Sequence, residues 1–152
     1  MKKIILLLTY LLTSSAAAVE MEVSLFEVTA SSCDKLRSID IPRVSSDWDH
    51  FKEKAKVTIQ TDKLDAFHSY IDTNYHKLTL TGDVSHDKGK PPFAQFFVTW
   101  HNNDFSTTFG DGASLEKGKV SIFGQAFSCN SEVRGVMNGK NIFAFLSVKL
   151  AD

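Results

Sequence analysis

The side chains of this sequence best suited to move a proton or hold a metal near neutral pH are five histidines, at positions 50, 68, 76, 86 and 101. None belongs to a close-spaced ligand pair such as the His-Glu-x-x-His zinc pattern. The densest local set is Asp83, His86 and Asp87, three nitrogen or oxygen donors in one polar stretch. A charged stretch of that kind is ordinarily just solvated, and no metal is expected there. His68 and Asp72 are spaced to meet across one helical turn as a surface pair. Asp47 with Asp49, and Asp62 with Asp65, have the composition for acid–base work, but both pairs fall at candidate helix starts, where the helix dipole already accounts for them. Glu116-Lys117-Gly118-Lys119 lacks the first glycine of a phosphate-binding loop and reads as a charged hairpin turn. No Gly-x-Ser-x-Gly nucleophile elbow occurs. With no catalytic signature, cofactor motif or metal site, the chain reads as non-catalytic. The enzymatic alternative is an exported hydrolase assembled from scattered His and Asp residues.

The cysteines take their meaning from the N-terminus. Residues 1–18 combine a basic start (Lys2, Lys3), an apolar run from Ile4 to Leu12 and the small residues Ala16-Ala17-Ala18, the three-part pattern of a cleaved secretory signal. The run is well short of the roughly 20 apolar residues a membrane-spanning helix needs, so no stable membrane insertion is expected after cleavage; a retained anchor is the alternative. An exported chain of this design is expected in the periplasm or secreted. In an oxidising compartment the two cysteines, Cys33 and Cys129, are expected to form a disulfide. Closing a loop of about 96 residues contributes roughly 4 to 5 kcal/mol in the chain-entropy picture. Two free thiols or a redox pair are the competing readings.

Residues 19–152 have the length of one ordinary domain, about 130 residues, with enough chain to bury a core. Removing Lys2 and Lys3 from the 17 basic residues leaves 15 against 18 acidic ones, a net charge of −3. That balance gives no footprint for nucleic acid or an anionic membrane surface.

The elements that must position these side chains are mostly strands. Val23 and Leu25 alternate with Glu22, Ser24 and Glu27 in a first strand from Met21 to Thr29, and Val57, Ile59 and Thr61 repeat the pattern. Ala30 to Arg43 reads as a loop pinned by Cys33. Ser46-Asp47-Trp48-Asp49 resembles a short helix start, and Leu64, Phe67, His68, Ile71 and Tyr75 have the spacing of one apolar helical stripe capped by Asp62. A strand from Lys77 to Val84 and a polar, proline-ended loop to Pro92 follow. The expected fold is therefore a single α+β domain, mainly antiparallel β-sheet in a sandwich or partly closed barrel, with one or two short helices.

From Phe93 to Leu150 the pattern sorts residues by face. Ala94, Phe96, Val98 and Trp100 share one face of a strand, while Phe93, Gln95, Phe97, Thr99 and His101 share the other. Turns are expected at Asn102-Asn103 and at Gly110-Asp111-Gly112. Asn138-Gly139 is the favoured two-residue hairpin dipeptide, and the register it predicts sets Gly135 opposite Ile142, Val133 opposite Ala144 and Cys129 opposite Val148. Ile142, Ala144, Leu146 and Val148 then face the core, with Phe143, Phe145 and Arg134 on the reverse. An apolar reverse face is either covered by the chain itself or receives a partner. The candidate contact surface is Phe143, Phe145 and Arg134, with Phe97 and His101 beside the loop that follows them. The functional expectation is a small exported protein that binds another protein, as an envelope or secretion accessory, an inhibitor or an immunity-type partner. A carrier or sensor of an apolar small ligand in a cupped sheet is the alternative, suggested by twelve phenylalanines.

Thiol titration of the unfolded, unreduced protein is expected to find no reactive sulfhydryl. Two reactive thiols per chain would exclude the Cys33–Cys129 bond.

Overall fold

The structure, a computed structural model, describes residues 18–40, 51–61, 66–103, 105–129, 131–133, 136–138 and 141–151. The elements are β1 (Glu20–Thr29), α1 (Cys33–Arg37), β2 (Lys52–Gln60), β3 (Ala66–Asp72), β4 (His76–Ser85), β5 (Phe93–Asn102), β6 (Ser106–Ser114), β7 (Val120–Ser128), β8 (Ser131–Val133), β9 (Val136–Asn138) and β10 (Ile142–Leu150). They form two four-stranded sheets, sheet I in the order β2-β1-β10-β7 and sheet II in the order β3-β4-β5-β6, with a small β8-β9 ladder beside them. All pairings are antiparallel. The chain crosses between the sheets at both edges, from β2 to β3 and from β6 to β7, so the sandwich has the connectivity of a flattened up-and-down barrel.

Period-two patterning explains the strands. In β5, Ala94, Phe96, Val98 and Trp100 are fully buried, whereas Phe93, Gln95, Phe97 and His101 point to solvent. Met21, Val23 and Leu25 of β1 and Leu78, Leu80 and Val84 of β4 complete the same core with Ile142, Ala144, Leu146 and Val148 of β10. Across the sandwich Phe96 stacks on Phe123, ring centroids 4.0 Å apart, and within sheet II it meets Phe67 at 5.3 Å over Gly82. The space between the sheets is filled by side chains, as two packed inner faces require. The register of β7 against β10 shifts between Leu146 and Ser147, where Gly124 and Ile122 are their partners and Phe123 is the extra residue.

A second, smaller core lies on the outer side of sheet I. Phe143 and Phe145 are buried there with Leu36 and Phe51, and Phe26, Val28, Ala30, Ile39 and Val120 pack against them. Phe26 stacks on Phe145 with centroids 5.1 Å apart, and Phe51 meets it edge-on at 5.0 Å. The cover is the segment after β1, in which Ser32 caps α1 by accepting a hydrogen bond from the Lys35 amide. It is stapled down by the disulfide between Cys33, the first residue of α1, and Cys129, just past the end of β7.

Several expectations are corrected. Residues 66–72 are strand β3, not helix: Phe67 and Ile71 point into the core while His68, Tyr70 and Asp72 point out, a four-residue spacing that suits two strand periods as well as one helical turn. The 30–43 loop contains α1, and β6 runs through Gly110-Asp111-Gly112 without turning. The Asn138-Gly139 register fails. Phe143 lies opposite Phe127 and Val28, because β7 and β1 occupy the two edges of β10, and β9 pairs with β8 instead. Cys129 therefore lies beside the start of β10 rather than opposite Val148. The face assignment of β10 survives, since a strand's own alternation fixes it whichever strand pairs with it. The expected helix start at 46–49 and Arg134 lie outside the described residues.

The two aromatic environments are expected to respond oppositely to truncation. Phe145→Ala should cost about 3–5 kcal/mol in chemical denaturation, and Phe97→Ala, on the exposed face of β5, within about 0.5 kcal/mol. Equal losses at both positions would contradict this division of the faces.

Candidate functional site

Phe143 and Phe145 were candidate contact residues, but they are 6% and 0% exposed. They are buried in the outer core of sheet I, and neither ring is open to a partner while α1 and Phe51 cover them. Two features of the described residues have the chemistry to act: a polar chain buried at one end of the sandwich, and the outer face of sheet II.

The polar chain begins at Glu27. Its position in β1 continues the inward series Met21, Val23, Leu25, so its carboxylate enters the space between the sheets. There Glu27 Oε2 lies 2.9 Å from His76 Nε2, and Trp100 Nε1 donates to His76 Nδ1 at 3.1 Å. The indole N–H can only donate, so Nδ1 is the acceptor and the imidazole hydrogen sits on Nε2, donated to Glu27. Lys54 closes the chain, with Nζ 2.9 Å from Glu27 Oε1. Lys54 reaches inward because the register of β2 against β1 skips it, Leu25 pairing with Ala55 and Phe26 with Glu53. The hydrogen bond from His76, with the help of Lys54, holds the Glu27 carboxyl below the usual carboxylate range despite its burial.

An imidazole hydrogen-bonded to a carboxylate is half of a catalytic triad, but the other ring nitrogen of His76 faces an indole rather than a nucleophile. Both nitrogens are committed, and the group works as a clamp between β1 and β4, residues 49 positions apart. Its outer side borders an open cleft of about 380 Å³ lined by Lys54, Thr73, Asn74 and Tyr75. The Thr73 hydroxyl shapes the β3–β4 turn beside it, accepting from the Tyr75 and His76 amides.

The outer face of sheet II carries the remaining candidates. Phe97 and His101 share it as expected, and Phe97 is 51% exposed. Cross-strand pairing sets the rows: Tyr70, Thr79, Thr99 and Thr108 in one, and His68, Thr81, Phe97 and Gly110 in the next. His101 pairs with Lys77, which pairs with Asp72, at one end of the face. There Tyr70, Asp72, Lys77, Thr79 and His101 border a shallow depression of about 230 Å³. Tyr70 is 62% exposed and rests on His68, ring centroids 4.7 Å apart. It was missed because β3 was read as a helix, and the strict alternation of Phe67, Ser69, Ile71 with His68, Tyr70, Asp72 was the available signal. His68 and Asp72 are four strand residues apart with Tyr70 between them, so they are not neighbours as on a helix. Asp87 pairs with Lys90 at 3.2 Å, and among the described residues no group of three or more His, Cys, Asp or Glu side chains is placed to hold a metal ion.

Comparison with protein-family models, curated proteins and solved structures finds no match.

Because the folded Glu27 carboxyl is held below its ordinary value, its stabilising contribution is complete above the unfolded carboxyl's range, near pH 4.5, and is lost as pH falls through the lower, folded value. Glu27→Gln is expected to cost roughly 1–3 kcal/mol at pH 7 and to flatten the fall in stability below pH 4.5, as read by urea denaturation at stepped pH. An unchanged acid limb would mean that Glu27 is not ionised in the clamp.

Proposed function

We propose that this chain is a non-catalytic exported binding protein whose contact surface is the outer face of sheet II. The observation that carries this reading is that, among the described residues, three of the five large apolar side chains left substantially exposed, Tyr70, Phe93 and Phe97, stand along one face with His101, the other two, Ile122 and Phe127, being on β7. Aromatic side chains are enriched at contact sites relative to the rest of a protein surface. The partner-binding expectation thus keeps Phe97 and His101 and exchanges Phe143 and Phe145 for Tyr70 and Phe93.

Export rests on the signal-like residues 1–18, and the formed Cys33–Cys129 bond fits an oxidising compartment. Among the described residues no helix is long and apolar enough to cross a membrane. An apolar ligand held inside the sheets finds little support, since Phe96, Trp100 and Phe123 fill that space. The hydrolase alternative finds little in His76, whose two ring nitrogens are already engaged.

Site-specific photocross-linking tests the face. A photoreactive residue replacing Thr99, at the centre of sheet II, is expected to give adducts in envelope extract of the producing cells, and one replacing exposed Gln125 of β7 is expected to give none. Equal labelling at both positions, or none at 99, removes the assignment of this face.

A further inference from the structure

Threonine and aromatic residues suit an exposed strand face, and the outer face of sheet II sets them in a specific arrangement, with Thr81 donating to the Phe97 carbonyl and Thr108 to Thr99. Its two central rows contain two exposed aromatic rings, Tyr70 and Phe97, four threonines, Thr79, Thr81, Thr99 and Thr108, and His68 with Gly110, with no Asp, Glu, Lys or Arg. The charges stand only in the flanking rows, where Asp72 adjoins Lys77 and Asp83 pairs with Gln95. From strand spacing and rise, Tyr70 and Phe97 lie two strands and one row apart, about 12 Å. The floor between them is hydroxyl-bearing.

Both rings are supported from the side. Tyr70 leans on His68, and Phe97 lies opposite Gly110, where a methyl group would sit in ordinary contact with the ring at 3.5 Å. The neighbouring glycine is shaped to an aromatic too: a Cβ on Gly112 would fall 2.8 Å from Phe93 Cε1. Side-chain-free positions on β6 leave the rings of β5 room to lie along the sheet.

We infer that this face binds a neutral carbohydrate chain, with Tyr70 and Phe97 stacking against sugar rings and the intervening threonines hydrogen-bonding to their hydroxyls. The inference rests on the proposed contact surface and names its ligand class. A pyranose ring offers an apolar C–H face and a polar rim, the complement of an aromatic platform set among hydroxyls. Charge matching points the same way: uncharged central rows favour neither a polyanion nor a polycation, and the single Lys77 cannot neutralise a nucleic-acid backbone. A protein partner fits the composition less well, because protein hot spots are rich in Trp, Tyr and Arg and poor in Thr. A lipid surface calls for contiguous apolar area, which the threonines interrupt.

Affinity electrophoresis of the full chain through gels containing amylose, hydroxyethyl cellulose, xylan or glycol chitin tests the inference. At least one polymer is expected to retard the protein. Tyr70→Ala and Phe97→Ala should each weaken that retardation about tenfold, Tyr70→Trp should preserve it, and Ile122→Ala on β7 should leave it unchanged. Retained thermal unfolding temperatures confirm that the variants are folded. No retardation by any of the four, or retardation that survives the Tyr70→Ala/Phe97→Ala double substitution, overturns the carbohydrate assignment. In that event cross-linking to a protein from position 99 keeps the contact surface with a protein occupant, and absence of such adducts removes the surface as well.

Discussion

β10 is apolar on both sides, and a strand of that kind must be covered twice. Its inner face, Ile142, Ala144, Leu146 and Val148, is covered by sheet II across the main core. Its outer face, Phe143 and Phe145, is covered by one short helix with Phe51 and Phe26. A five-residue helix cannot hold itself in place in water. The disulfide holds it there: Cys33 opens the helix and Cys129 directly follows the strand that flanks β10, so the bond links the cover to the surface it covers.

The opposite end of the sandwich is organised by polarity rather than by covalent linkage. Glu27 and His76 replace apolar contacts where the two sheets approach near the β3–β4 turn. Such a pair is tolerable because each polar atom has a partner: Trp100 and Glu27 for the imidazole, His76 and Lys54 for the carboxylate. Among the described residues the outer face of sheet II has no cover, and three exposed aromatic rings, Tyr70, Phe93 and Phe97, lie on it, a fourth, Phe127, standing on β7.

The pattern of the sequence was most legible where one side chain's face depends only on its own strand. The alternation of β5 placed Phe97 and His101 outside and Trp100 inside, and the alternation of β10 separated Ile142 from Phe143 although the strand pairing was misread. What failed depended on competition between distant segments. Asn138-Gly139 favours a local hairpin, but the nine-residue β10 gains more from β1 and β7 along both edges than from the three-residue β9. Phe67 and Ile71 satisfy helix and strand equally until β4 is there to pair with them. The Glu27–His76 contact joins two residues that look, in sequence, like single polar interruptions of apolar strands, and only the approach of the sheets brings them together.

The pairing of β1 with β10 joins the first and last described strands, Met21 lying opposite Leu150. Sheet II can assemble from successive hairpins, each closing a short loop, whereas the central ladder of sheet I must wait for the last strand to arrive. Until it does, β1 has an open edge, the phenylalanines of β10 have nowhere to be buried, and the two cysteines have no reason to meet. The fold is therefore closed last by its two end strands, and a chain lacking only β10 would lose the ladder at the centre of sheet I, the phenylalanines of the outer core and that strand's share of the main core.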